Sequence, residues 1–271
     1  MIDVRPKSAP SKSALTGRRI VVTRPAEQAR HLADLIRAAG GYAILFPALE
    51  IQDVTDRQAL ERLIARLEEF DLAIFVSANA VNRAMSLIAA RRTLPAKLEF
   101  AAVGAGSLRE LRRFGVKEAI CPTSRFDSEA LLELPQLHDV RGKRVVIFRG
   151  QGGRELLADV LAGRGAEVEY AECYRRAKPA AAAGAWLEMW QKHAPDAVTA
   201  TSSEGLRNLF EMAGQKGREL LIKSTLFVPH ARIAETAHAL GLDKVIVTAA
   251  GDEGLVQGLI EWIDAGTRQS S

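Results

Sequence analysis

The chain is written twice, and this repetition restricts its fold more than any single motif. "RRIVVTRP" (18–25) superposes on "KRVVIFRG" (143–150) with Arg24 on Arg149, an offset of 125 residues. The same offset, without a gap, carries "IFVSANAV" (74–81) onto "TATSSEGL" (199–206), with Ser77 on Ser202. It also carries "FAAVGAG" (100–106) onto "TLFVPHA" (225–231) and "SEALLEL" (128–134) onto "EGLVQGL" (253–259). Two copies of one ordered set of elements are therefore expected.

Within each copy, β-rich runs alternate with helical patterns. The first copy holds "RIVVTR", "YAILFPALEI", "LAIFVS", "EFAAVG" and "EAICP" as strands; the second holds "RVVIFR", "EVEYAECYR", "DAVTATS", "TLFVP" and "KVIVTA". Between them apolar residues recur at three and four, as in Leu32, Leu35, Ile36 and Ala39. Apolar strands alternating with helices specify an α/β fold of doubly wound parallel sheets, covered on both faces. Right-handed crossovers then gather the strand-to-helix turns at one edge of each sheet. These turns, at 24–27, 77–80, 104–107, 124–128, 150–154, 202–205, 229–232 and 249–253, are mostly Gly, Ser, Thr and Asn. Such residues cap helices or admit a ligand to the backbone. Each helix N-terminus favours negative charge by about 0.3–1 kcal/mol. Capping accounts for any one turn, whereas the whole set predicts a polyanionic ligand.

The run "VVIFRGQGGRELL" (145–157) raises a nucleotide reading. A strand ends at Phe148, glycines follow, and a helix is expected to open over Arg154–Leu157. Gly150 and Gly152 match the first two glycines of a dinucleotide fingerprint, but Glu155 stands at the third and no Walker Lys-Ser/Thr pair follows. Glu169 falls near the position of a ribose-binding acid. A nucleotide- or phosphometabolite-binding enzyme is thus one alternative. A two-domain binding module of the periplasmic-receptor type is another, although the sequence shows no secretion signal.

Charge and composition narrow the partners. The net charge of +4 is spread over dispersed Arg pairs, and only 6% of residues are aromatic, so nucleic acid is not expected. The two cysteines and five histidines show no metal-ligand spacing, and no apolar run reaches the length of a membrane span. Residues 1–16 carry Lys, Ser and Pro without an apolar core and read as a disordered tail. A cytoplasmic monomer is expected.

Taken in order, "VVTRP", "FVSANAV", "AVGAGS", "CPTSRFDSEALL", "RVVIFRGQGGRELLADVLAGRGAEV" with "CYRR", and "TSSEGLRNL" resemble uroporphyrinogen-III synthase over about residues 17–265. The resemblance implies two similar doubly wound domains joined by a two-stranded β-ladder hinge. Domain 1 would comprise 17–46 plus 175–266, domain 2 would comprise 47–174, and 267–271 would form a tail. It also implies a cofactor-independent enzyme that closes hydroxymethylbilane, a polycarboxylate linear tetrapyrrole, into uroporphyrinogen III while inverting the last ring. Tyr174 matches the family's tyrosine and is the expected donor to the leaving hydroxyl. Ser77, Ser107 and Ser202, with the backbone at Ala78, Asn79, Gly106, Gly150 and Ser203, would bind the carboxylate arms. Arg24, Arg149, Arg154, Arg232 and His230 are further candidate contacts. Glu204 departs from the pattern, because a carboxylate stands where a small residue would suit an anionic ligand better.

Overall fold

The computed structural model describes residues 14–180 and 184–269. In chain order its strands are β1 (Arg19–Val22), β2 (Tyr42–Leu45), β3 (Glu50–Gln52), β4 (Leu72–Phe75), β5 (Glu99–Ala102), β6 (Arg144–Gly150), β7 (Glu167–Ala177), β8 (Ala197–Thr199), β9 (Thr225–Val228) and β10 (Val245–Val247). The helices are α1 (Ala26–Ala38), α2 (Arg57–Ala65), α3 (Ala78–Ala89), α4 (Ala105–Arg113), α5 (Ser128–Leu132), α6 (Leu156–Gly163), α7 (Ala185–His193), α8 (Ser203–Met212), α9 (Gly214–Lys223), α10 (Ala231–Ala239) and α11 (Gly251–Gln269). They form two compact units, one of Met1–Glu50 with Ala177–Ser271 (unit 1) and one of Ile51–Arg176 (unit 2). Both passages between units fall in β3 and β7, which are neighbours in one sheet.

Unit 1 is built on the order β10-β9-β8-β1-β2, all parallel. The second sheet has the order β3-β7-β6-β4-β5, in which β7, β6, β4 and β5 run parallel. The repeat persists in the register. Arg19 lies opposite Tyr42 and Arg144 opposite Glu167; Val21 lies opposite Val198 and Val146 opposite Ala73. Each sheet nevertheless draws on both copies. Unit 1 takes β1 and β2 from the first and β8, β9 and β10 from the second; the other sheet takes β4 and β5 from the first and β6 and β7 from the second.

Apolar strands sit between helical layers, as the continuous hydrophobic runs require. In unit 2, Phe75 and Phe148 stack at 4.6 Å on one face of their sheet, with Val81, Ala84 and Ile88 of α3 in the same cluster. In unit 1, Leu32 and Ile36 of α1 pack with Leu255 and Leu259 of α11 over Ile20 and Val22. Ser77 and Ser202 cap α3 and α8 in the same way, each hydroxyl accepting the N–H three residues on, at 3.2 and 3.0 Å.

Five local expectations need correction. "YAILFPALEI" is two strands, β2 and β3, interrupted around Pro47, which has no N–H to give a ladder. "EAICP" forms only an isolated bridge, Ile120 to Ala101. The helix after Gly153 begins at Leu156, not Arg154, and Gly152 and Gly153 adopt positive φ in the turn ahead of it. Packed structure also starts before residue 17: Leu15 is fully buried, and its N–H bonds the Ala39 carbonyl at 2.8 Å. The rest of the expected tail, 1–13, lies outside the described residues. At the other end, α11 runs on through Gln269.

Candidate functional site

The carboxyl ends of the strands place the expected residues at one edge of each sheet. In unit 2, β4 ends into Ser77 and α3, and β6 ends in Gly150. The neighbouring β7 delivers Tyr174 opposite Gly150 through a register shift after Arg149. The Tyr174 hydroxyl lies 3.0 Å from Ser77 Oγ, and its ring is 2% exposed. A Cβ on Gly150 would come within 2.7 Å of the ring carbons Cε2 and Cζ, so only glycine leaves room for the tyrosine. The Gln151 N–H then bonds the Tyr174 carbonyl at 2.7 Å. Tyr174, Ser77 and Gly150 thus form one unit, with Ala78 and Asn79 in the adjoining first turn of α3. The repeat equivalent of Tyr174 is Leu49, so only one sheet edge carries a phenol at this position.

This contact explains the glycine run. Gly150 accommodates an aromatic ring, and the Gly152 N–H points at the Glu172 carboxylate (3.3 Å). A loop amide facing a carboxylate is poorly suited to cradling a phosphate. Arg149, expected at a carboxylate arm, turns inward and is 6% exposed. Its Nε donates to the carbonyls of Gly150 and Gly152, its Nη1 pairs with Glu155 at 3.3 Å, and its guanidinium lies 4.3 Å from the Tyr170 ring centroid. Burial, together with the Glu155 carboxylate, pushes the Tyr170 phenol up to about 12. The same Tyr170 hydroxyl, and after it the Arg149 guanidinium, hold the Glu155 carboxyl below its ordinary range.

The other residues are dispersed along the two edges. Arg154 is exposed and pairs with Glu129 at 2.8 Å. Gly106 has open space where a Cβ would stand, and Ser107, one residue on in α4, is buried. In unit 1, Ser202 is occupied as the cap of α8, and the Ser203 hydroxyl accepts a bond from Thr236 at 2.9 Å. His230 precedes α10, Arg232 lies in its first turn, and both are exposed. Glu204 is also exposed, in the first turn of α8, where the helix dipole favours it. Arg24 lies between Thr201 and Asp252. Sequence reasoning missed Asp252, Thr201, His31 and Tyr170. The 125-residue offset held one available signal, since it relates Asp252 to the α5 cap Asp127.

Two parallel α/β sheets with polar side chains and helix starts at their strand ends define a doubly wound protein of the class that holds small ligands at that edge. A sequence profile described as "Uroporphyrinogen-III synthase HemD" matches residues 30–257. The uroporphyrinogen-III synthase of Escherichia coli K12 is 33% identical over 243 residues, which cover 89% of this chain and 99% of that relative. The enzyme of Salmonella typhimurium is 32% identical over the same shares. In fold, the chain resembles a mutant uroporphyrinogen III synthase of Thermus thermophilus (TM-score 0.61, 20% identity, 92% of this chain and 99% of that one). It also resembles the uroporphyrinogen-III synthetase of Helicobacter pylori (TM-score 0.59, 15% identity, 90% and 99%). The chain belongs to the uroporphyrinogen-III synthase family. Among the described residues no helix is long and apolar enough to cross a membrane, and no three His, Cys, Asp or Glu side chains are grouped to hold a metal ion.

Proposed function

We propose that this chain converts hydroxymethylbilane into uroporphyrinogen III, with loss of water and inversion of the last pyrrole ring, as a cytoplasmic monomer. The two units serve as its domains. The observation that carries the chemistry is the Tyr174–Ser77 pair wedged over Gly150. Ser77 Oγ already accepts the Ala80 N–H, so its single proton is best given to the Tyr174 oxygen. The phenol proton is then left for the terminal hydroxyl of the substrate. Departure of that hydroxyl as water generates an azafulvene. The substituted carbon of the last ring attacks it, and the spiro intermediate fragments and recloses inverted. The proton released on rearomatisation restores the phenol. Because the linear substrate also closes without inversion, holding one folded conformation is the enzyme's main task. The helix starts at Ala78, Asn79, Gly106, Ser107, Ser202 and Ser203, with Arg24, Arg154, Arg232 and His230, are the proposed contacts to its carboxylate arms.

The test supplies freshly generated hydroxymethylbilane, oxidises the products and separates the type I and type III isomers. Predominantly type III product is expected. Tyr174→Phe keeps the ring and loses the donor, so kcat should fall at least about 100-fold while type III still forms, because a positioned proton donor contributes about 10²–10⁴-fold. Only type I, at the rate seen without protein, overturns the reading.

A further inference from the structure

Arg24 and Arg149 occupy equivalent positions in the repeat, each just past the apolar core of its strand, yet their environments differ. The Arg149 side chain is 7% exposed and is engaged by two backbone carbonyls, Glu155 and the face of Tyr170. The Arg24 side chain is 21% exposed and is held from two sides only. Its Nε donates to Thr201 Oγ1 at 3.2 Å, and its Nη1 meets Asp252 Oδ1 at 2.6 Å. Among the described residues no group takes its Nη2.

Asp252 is itself 8% exposed and uses its second oxygen as well. His31 Nδ1 lies 2.9 Å from Asp252 Oδ2, and since a carboxylate only accepts, the imidazole proton is on Nδ1. The other ring nitrogen of His31 lies 3.7 Å from Glu253 Oε1. The Asp252 carboxylate is thus fixed by His31 on one side and fixes Arg24 on the other. A guanidinium pinned through Nε and Nη1 has lost the rotamer freedom that a free arginine forfeits on binding. It presents its remaining edge at the strand ends of unit 1.

We infer that Asp252 is a positioning residue that locks Arg24 as the receptor for one carboxylate arm of the substrate, a role that the burial of Arg149 denies to its repeat counterpart. The inference rests on the proposed tetrapyrrole substrate. Charge alone does not make this receptor, because Asp252 offsets the charge of Arg24; the fork geometry does.

The assay is steady-state kinetics with hydroxymethylbilane, with product isomers and thermal midpoints measured on the same preparations. Arg24→Gln should raise KM about 10–100-fold. Arg24→Lys, which keeps the charge but not the fork, should raise it at least fivefold. Asp252→Ala should raise KM about 5–20-fold with kcat within twofold. Asp252→Asn keeps an acceptor for Nη1 and should stay within threefold of the parent, a rescue that a purely structural acid would not give in KM. If Asp252→Ala fails to fold, Asp252→Ser takes its place, and either variant leaving KM within twofold while Arg24→Gln raises it overturns the positioning role. A parent that makes type III product while Arg24→Gln leaves KM within twofold overturns this inference and spares the substrate reading. A parent that makes only type I at the uncatalysed rate overturns both.

Discussion

Replacing Gly150 with alanine isolates the contact on which the site is built. Gly150 is not among the glycines with positive φ, so the backbone accepts alanine and the cost lies in the new methyl alone. That Cβ would stand 2.7 Å from two ring carbons of Tyr174 and 3.1 Å from its hydroxyl oxygen. The ring cannot simply swing aside. It is buried in the core cluster that includes Phe148 and Ala171, its hydroxyl is bonded to Ser77, and its carbonyl is bonded by Gln151. Overpacking of this kind costs about 1–3 kcal/mol, and breaking the hydroxyl bond adds about 1 kcal/mol. A chain of this size loses roughly 2–4 °C of melting temperature per kcal/mol. The measurement is a double-mutant cycle in urea with Gly150→Ala, Tyr174→Ala and the pair. With the ring removed, the added methyl should cost less than about 0.5 kcal/mol, leaving a coupling of at least 1 kcal/mol. Equal costs of Gly150→Ala in both backgrounds would show that the methyl meets something other than Tyr174, and the reasoning would fail.

Two other predictions concern the same unit. Arg149→Met should remove the clamp on the 150–155 turn, destabilising the protein by about 1–3 kcal/mol and speeding proteolysis between Gln151 and Glu155; unchanged cleavage there would contradict the clamp. At alkaline pH, burial pushes the Cys173 thiol up to about 12, and Tyr170 also rises to about 12. The folded state therefore keeps protons that the unfolded chain begins to lose near pH 9 and pH 10 respectively, so stability should fall through pH 9–12. Cys173→Ala with Tyr170→Phe should flatten that fall in urea titrations, and native Cys173 should resist thiol reagents at pH 8.

The parallel α/β class was legible because "RIVVTR" and "RVVIFR" are apolar without alternation and helical patterns separate the strands. The pairing of strands was not. Periodicity reads two tandem copies, because β4 and β8 are similar apolar runs and either could lie beside β1. At the candidate site, Tyr174 and Ser77 were expected through resemblance, and their direct bond joins residues 97 positions apart, beyond any local pattern. Gly150 was noticed for the wrong partner. Its neighbour is a ring 24 positions on, whereas local reading offered only the glycines beside it. Arg24 and Arg149 look alike in sequence, and the difference between them lies in what surrounds each: Tyr170 and Glu155 enclose one, while Thr201 and Asp252 leave the other an open edge.

The exchange of strands between the two copies also sets an order of events during synthesis. All strands of the second sheet lie between Glu50 and Ala177, so its pairings are available once about two thirds of the chain has left the ribosome. β1 has to wait for β8, with Ile20 opposite Ala197, before the sheet of unit 1 can close. Long-range pairings of this kind are slow to form, and until then β1 and β2 carry apolar edges with no partner on that side. Cutting the chain between its two copies would leave neither fragment with a complete sheet, so each would depend on the other to fold, although each carries one full set of the repeated elements.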